Sequence, residues 1–395
     1  MKLKSCIKGY KKGTHRVVPP AETLAWIESK LPVAGVEKVT DITGLDRIGI
    51  PVFTCIRPTA EGGAVSEYNG KGTTAEEARV SALMEAIERY SAEVKDRELL
   101  EASYVMLSKQ ENALNPNELI LPSYVKNIEV VSIPWVKGYD LIQEEEIYVP
   151  ASAVFHPLPS RYDSVRLFRT NTNGLASGNE LEEAIFHGLA ELIERDAWSL
   201  VEITRNTGAI VELKEEKIRT LMAKFSDADV SLLIRDIRSD IGVPTFAAVS
   251  DDLRLKDPTL LTTGMGTHTD ARVAIMRALT EVAQSRLTQI HSAKGKDMRR
   301  IMGYEWMRNK NKHWFVNSAT TAFASIESKD NTDFLTDINY ILERIQGVGL
   351  ERAVVVVLTR AEIGVPVVRV IVPGLEMYTV DEQRIGQRCK NARVK

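Results

Sequence analysis

Two rhythms alternate along this chain. The first suits strands and recurs as IGIPVFTCI (Ile48–Ile56), IGVPTFAAV (Ile241–Val249) and IGVPVVRVI (Ile363–Ile371). In each copy a glycine with a proline two positions on suits a tight turn, and the β-branched residues that follow suit a half-buried sheet. The runs SLLIRDI and VVVVLTR stand just before the second and third copies, so antiparallel hairpins are predicted there.

The second rhythm has the helical period. After the first two copies, Gly70-Lys71-Gly72-Thr73 and Gly264-Met265-Gly266-Thr267 read as glycine loops, each followed by Ala-Arg-Val and a helix carrying SALMEAIER or RALTEVAQSR. A central segment repeats the theme, with NTNGLASGN leading into LEEAIFHGLAELIERDAW. At 100° per residue Ser81, Glu85 and Glu88 form one stripe opposite Leu83, Ile87, Tyr90 and Val94. Glu183, His187, Glu191 and Glu194 share a face of the central helix opposite Leu181, Ile185, Leu189 and Leu192, and Arg277, Glu281, Gln284 and Thr288 do so on the third. The prediction is an α+β fold of mixed, largely antiparallel sheets packed with helices and built from repeated strand, glycine-loop and helix units.

Elsewhere the pattern says less: a proline-rich patch over 116–122, strands near 147–153, a polar helix over 214–224 and a surface segment over 309–329. No low-complexity linker interrupts the chain. Its 395 residues read as a single domain over 1–395, with two lobes as the other arrangement this length allows.

Composition narrows the function. With 44% hydrophobic and 27% charged residues the chain lies far from disorder. A net charge of -3, spread along the sequence, argues against a large nucleic-acid footprint. No apolar run approaches membrane-spanning length and no secretory h-region is present, so a cytoplasmic protein without a membrane partner is expected. Three widely spaced cysteines indicate neither a disulfide framework nor a zinc site. The basic tail, Arg384, Arg388, Lys390, Arg393 and Lys395, reads as a solvated end first and a partner contact second.

The acidic stripes have a bland reading, as solvated faces with Glu85–Arg89 and Glu191–Arg195 as ordinary i,i+4 pairs. Against it, like-charged neighbours at this spacing cost a few tenths of a kcal/mol unless something offsets them. Solvated faces recruit lysine for that, yet none occurs from Asn171 through Leu213. Ala78, Ala82 and Ala86 suit close packing of the first helix. Clustered carboxylates that pack want a cation, and an oxygen-only set favours magnesium or calcium over zinc. Magnesium commonly bridges to phosphate, and amides at the opening of each helix would welcome an anion. His15, His156, His268, His291 and His313 show no ligand spacing, which leaves His187 as the candidate histidine.

The series Ser81, Glu85, Glu88, Arg89, then NGLASGNELEEAIFHGLAELIERDA, then ALTEVAQSR resembles the YcaO family, with three motifs in the family's order from Lys12-Gly-Thr-His-Arg16 to about Arg286. The C-terminal hundred residues are similar only in general character. The resemblance implies the YcaO fold, ATP and Mg2+ as cofactors, and phosphorylation of a peptide's backbone amide oxygen before a nucleophile displaces the phosphate. It also implies Glu85, Glu88, Glu191 and Glu194 as magnesium ligands, with Glu191, Glu194 and Arg195 at the catalytic centre. Ser81, Arg89, Asn179, Glu183, His187 and Arg195 would contact nucleotide and phosphates with Glu281 and Gln284 nearby, and Arg16, Thr23 and Lys71 match looser family positions.

Azoline-forming members end in a proline-rich tail, whereas this sequence closes with RCKNARVK and has its last proline at Pro373. The expectation is therefore a thioamide (thioglycine) product made with an external sulfide donor. The compact form looks similar to stand-alone members associated with the alpha subunit of methyl-coenzyme M reductase, acting on a peptide or protein as a monomer or homodimer, with or without an accessory protein. An azoline-forming cyclodehydratase and a non-catalytic ATP-binding accessory are the alternatives.

Overall fold

The structure is a computed structural model that describes residues 1–162, 165–292, 298–316 and 319–394. Three antiparallel units dominate it. In the first, strands Lys38–Asp41, Val52–Ile56 and Glu67–Lys71 lie side by side and the helix Ala75–Ser91 follows. In the second, Val230–Asp236, Thr245–Asp252 and Thr262–Thr267 repeat that order ahead of the helix Ala271–His291. Short strands Ile210–Glu212 and Thr320–Ala322 widen this sheet, the latter pairing in parallel.

The third unit has the same order in space and a different order in sequence. Val354–Val357 pairs with Val367–Ile371, which pairs with Leu175–Ser177, and that last strand leads into the helix Leu181–Thr204. The central glycine segment and the third strand echo are thus two halves of one unit, closed across the whole of the second. Strands Leu100–Ser103, Ser132–Asp140 and Glu145–Pro150 extend its sheet. Each of the three echoes is the middle strand of its unit. The glycines that open them, Gly49, Gly242 and Gly364, adopt φ of 68°, 77° and 67°, the left-handed turn their sequence suggests.

The Gly-x-Gly-Thr segments are largely strand, with only Gly72 and Thr73 of the first left in the turn before the helix. Gly70 and Lys71 close the strand Glu67–Lys71, and Gly264 through Thr267 lie inside the strand Thr262–Thr267. Their glycines serve close approach: a Cβ on Gly70 would stand 2.0 Å from the Ala82 amide nitrogen and one on Gly264 2.1 Å from that of Val282. Strand and helix backbones touch directly, and Ala78, Ala82, Ala274 and Ala278 form the fully buried side of that contact. The helices' apolar faces, such as Ile185, Leu189 and Leu192 against Val368 and Val370, complete separate cores under each sheet.

Two readings of the chain's surface are corrected. Within 309–329, His313 and Trp314 are buried, because Trp314 joins the core under the second sheet and Arg235 reaches its carbonyl. The tail is partly docked: Arg384 is buried and Gln387–Val394 is a helix whose Arg388 bonds the buried Asp196 at 2.9 Å, while Glu376 receives the amides of Gly386 and Cys389, and Lys390 and Arg393 stay exposed as in a solvated end. Lys395 lies outside the described residues. The three cysteines are free and buried, and among the described residues no helix is long and apolar enough to cross a membrane.

Candidate functional site

The helices Ala75–Ser91, Leu181–Thr204 and Ala271–His291 turn their polar stripes toward one cavity of about 550 Å3. Every residue singled out from the sequence lines it: Arg16, Thr23, Lys71, Ser81, Glu85, Glu88, Arg89, Asn179, Glu183, His187, Glu191, Glu194, Arg195, Glu281 and Gln284. The i,i+3 and i,i+4 spacing that made these stripes also lets each helix bury its other face, so one periodicity places both core and cavity.

Charge is concentrated here. Glu85 pairs with Arg89 at 2.9 Å, Glu191 stands 3.9 Å from Arg195, and Ser177 donates to Glu88 at 3.3 Å. From the third helix Glu281 pairs with Lys71 and also accepts the Met265 amide at 3.2 Å, while Gln284 bonds the Asn69 carbonyl. Seven carboxylates and five cations line the cavity. With every group ionised two negative charges are in excess, the amount a divalent cation would offset. Among the described residues the Glu194 Oε2 is buried with no hydrogen-bond partner, as are the Nε atoms of Arg89, Arg195 and Arg277.

Burial disfavours the charged forms. It pushes Glu88 up to about 8, with Arg89 opposing and Glu85 and Glu191 adding to the shift. It lifts Glu194 to about 7, with Glu281 reinforcing it. Glu191 and Glu183 are raised by the same cause. Burial acts on Glu281 too, but Lys71 and Arg195 hold it below the ordinary carboxylate range. His187 is kept neutral by burial and by Arg16 and Arg277. Its Nε2 meets the Arg16 guanidinium, so its proton sits on Nδ1.

The N-terminal rim is built locally. The hairpin of Tyr10–Lys12 and Thr14–Arg16 brings Arg16 to 3.6 Å from Glu183, and Thr23 donates to the Asn179 side chain at 2.9 Å. The helix openings do not offer the free amides expected of an anion seat. Glu77 accepts the Thr73 amide at 2.7 Å, Glu183 accepts those of Val17 and Asn179, and Asp270 caps the third helix. Each helix carries its own carboxylate at its positive end.

Glu77, Ser177 and Arg277 line the cavity without having been singled out as site residues. Arg277 was legible, one turn before Glu281 on the same stripe. Ser177 was not, since only the turn of the strand Leu175–Ser177 points it at Glu88. Nor was Arg369, whose field acts on Glu191 and Glu88 from the strand Val367–Ile371.

Comparison with known proteins places these features. A family model described as YcaO cyclodehydratase, ATP- and Mg2+-binding, matches residues 69–376, well past the limit near Arg286 drawn from motifs alone. The chain is 47% identical over 386 residues to an uncharacterized protein of Methanothermobacter thermautotrophicus, covering 95% of this chain and 99% of the relative. It is similar to the structure of YcaO from Methanopyrus kandleri bound with AMPPCP and Mg2+, with 31% identity, a TM-score of 0.79, and 97% and 98% of the two chains covered. A heterocyclase in complex with substrate and cofactor matches with a TM-score of 0.82 and 25% identity over 95% of this chain and 54% of its own.

Proposed function

This chain belongs to the YcaO family, and from that premise we propose that it uses ATP and Mg2+ to phosphorylate a backbone amide oxygen of a peptide or protein, with hydrosulfide then giving a thioamide. Residues 1–395 act as one catalytic domain assembled from three units. The observation that carries the reading is the convergence of Glu85, Glu88, Glu191 and Glu194 from two helices on one cavity. Three of these carboxylates are pushed toward protonation by burial, and the Glu194 Oε2 is unpartnered. Such uncompensated oxygen donors fit a hard divalent cation, and these residues would hold Mg2+. Bound there, the metal supplies neutralisation of phosphate charge.

The remaining groups position and screen. Arg89 and Arg195, each with an unpartnered Nε, stand beside the glutamates where phosphoryl charge accumulates. Ser81, Asn179, Glu183 and the neutral His187 line the nucleotide's course, with Arg16 and Thr23 at the rim and Lys71, Glu281 and Gln284 opposite. Glu183 and Arg16 hold each other and the hairpin amide of Val17 in place. In the overall step the amide oxygen takes the γ-phosphoryl group and ADP leaves. Hydrosulfide sulfur bonds to the same carbon, and the C–O bond breaks with its electrons going to phosphate. The sulfur proton ends on phosphate and the amide keeps its N–H.

The thioamide branch rests on nucleophile supply. The Gln387–Val394 helix is tied to the back of the central helix through Asp196, and among the described residues none beyond Gln289 lines the cavity. An external nucleophile competes only where no neighbouring side chain enjoys the proximity advantage, and glycine is that case. Mass spectrometry of a glycine-containing peptide after incubation with ATP, Mg2+ and sulfide tests this. Exchange of sulfur for oxygen is expected. Loss of water from a Cys-containing peptide in sulfide-free buffer, with the glycine peptide inert, would transfer the assignment to azoline formation.

A further inference from the structure

Behind the carboxylate cluster lies a second cavity of about 40 Å3. The two cavities are lined by adjacent stretches of chain: Leu192 lines the second, one residue on from Glu191 in the first, and Asn173 lines it, two residues before Leu175 in the first. Arg369 and Arg384 complete its polar side, and they are only 4% and 3% exposed.

Every hydrogen bond described for these guanidinium groups goes to an uncharged oxygen. Arg369 donates to the Ala153 carbonyl at 3.0 Å and to the Asn171 carbonyl at 2.9 Å, with the Asn171 side chain at 3.5 Å. Arg384 donates to the Ile120 carbonyl and lays its guanidinium over the Phe168 ring at 3.7 Å. The Arg369 Nη1 is buried with no hydrogen-bond partner among the described residues. The Asn173 Oδ1 is likewise unpartnered, and half a turn of that amide presents N–H2 instead. Burial lowers both arginines to about 10. Glu191 and Glu88 oppose this for Arg369, and Asp381 opposes it for Arg384, which Arg369 lowers further. Among the described residues neither guanidinium forms a salt bridge, and the two cations repel each other across the cavity with carboxylates acting only at a distance.

We propose that this cavity is a subsite for a monovalent anion of one heavy atom, and that its occupant in turnover is hydrosulfide. A buried water needs roughly 10–15 Å3 of such space, so a small ion fits and a nucleotide does not. The site deepens the thioamide reading and rests on it: a nucleophile stored against Arg369 lies within electrostatic reach of Glu191 and Glu88, on the far side of the proposed magnesium cluster.

Two measurements decide the matter. Crystals soaked in sodium bromide should show an anomalous peak between Arg369 and Arg384 that sodium hydrosulfide displaces. In solution, Arg384→Gln should raise the half-saturating sulfide concentration about tenfold or more, the worth of a charge-assisted hydrogen bond. The half-saturating ATP concentration should stay unchanged, and Arg384→Lys should restore most of the loss. No peak overturns the subsite, and a peak that hydrosulfide leaves in place marks an adventitious ion only. An unchanged sulfide dependence in a folded Arg384→Gln protein also overturns it. The soak requires neither ATP nor peptide, so hydrosulfide bound in an enzyme that never adds sulfur would refute the thioamide reading and leave the subsite standing.

Discussion

At the scale of single residues, Glu191→Gln should cut Mg2+-dependent ATP turnover by about a hundredfold or more, because it removes one donor charge at constant size. The folded state should persist. Burial already disfavours the ionised form of Glu191, so its replacement relieves the metal-free protein. Phosphate release and a melting curve on the same sample check both statements, and near-wild-type turnover in Glu191→Gln and Glu88→Gln alike would remove the metal site. These residues were readable because a helical stripe is a local property. Arg369 was not, since its place beside Glu191 depends on Val367–Ile371 pairing with Leu175–Ser177, nearly two hundred residues away in sequence.

Glycine is where elements, more than residues, explain the chain. The segments around Gly70 and Gly264 looked like loops because glycine followed by threonine before a helix matches a turn. Their role is instead to leave no side chain between strand and helix. Gly70→Ala would push its Cβ into the Ala82 amide and the Ala78 carbonyl, at 2.0 and 2.3 Å, so the two backbones must separate. The expected loss is about 3 kcal/mol or more, the upper range of overpacking, seen as a lower urea midpoint. Gly44, with nothing within 4 Å of its would-be Cβ, is the control, and Gly44→Ala should move the midpoint little. Equal midpoints for the two variants would refute the close-approach account. The strand echoes were legible as turn-then-strand, down to the left-handed glycine, but which glycine strand the third one joins was not. The sequence assigns the third echo no glycine strand or helix of its own, and the structure closes its unit backward onto Leu175–Ser177.

Across the whole molecule, the proposed magnesium site would couple metal to protons. Glu88 at about 8 and Glu194 at about 7 lie above the ordinary 4.5, so the folded state holds protons that the unfolded chain releases. The stability these groups contribute is complete below about pH 4.5 and is lost as pH rises through 7 and 8. Mg2+ binding displaces those protons, so the gain in melting temperature on adding Mg2+ with a non-hydrolysable ATP analogue should be larger at about pH 8 than at about pH 6. The same gain at both would show that the glutamates are already ionised without metal.

The backward closure of the third unit bears on how the molecule comes into being. During synthesis the helix Leu181–Thr204 emerges long before Val354–Val357 and Val367–Ile371, the strands that cover its apolar face. The first and second units are contiguous and can form as they leave the ribosome. The central helix, with Glu191 and Glu194 on it, must wait with Leu189 and Leu192 exposed until Val368 and Val370 arrive. Contacts so distant in sequence form slowly. Assembly of the cavity is thus a late event in biogenesis, and a nascent chain stalled before Val354 would carry all four glutamates proposed to hold Mg2+ without the sheet that packs against the helix bearing two of them.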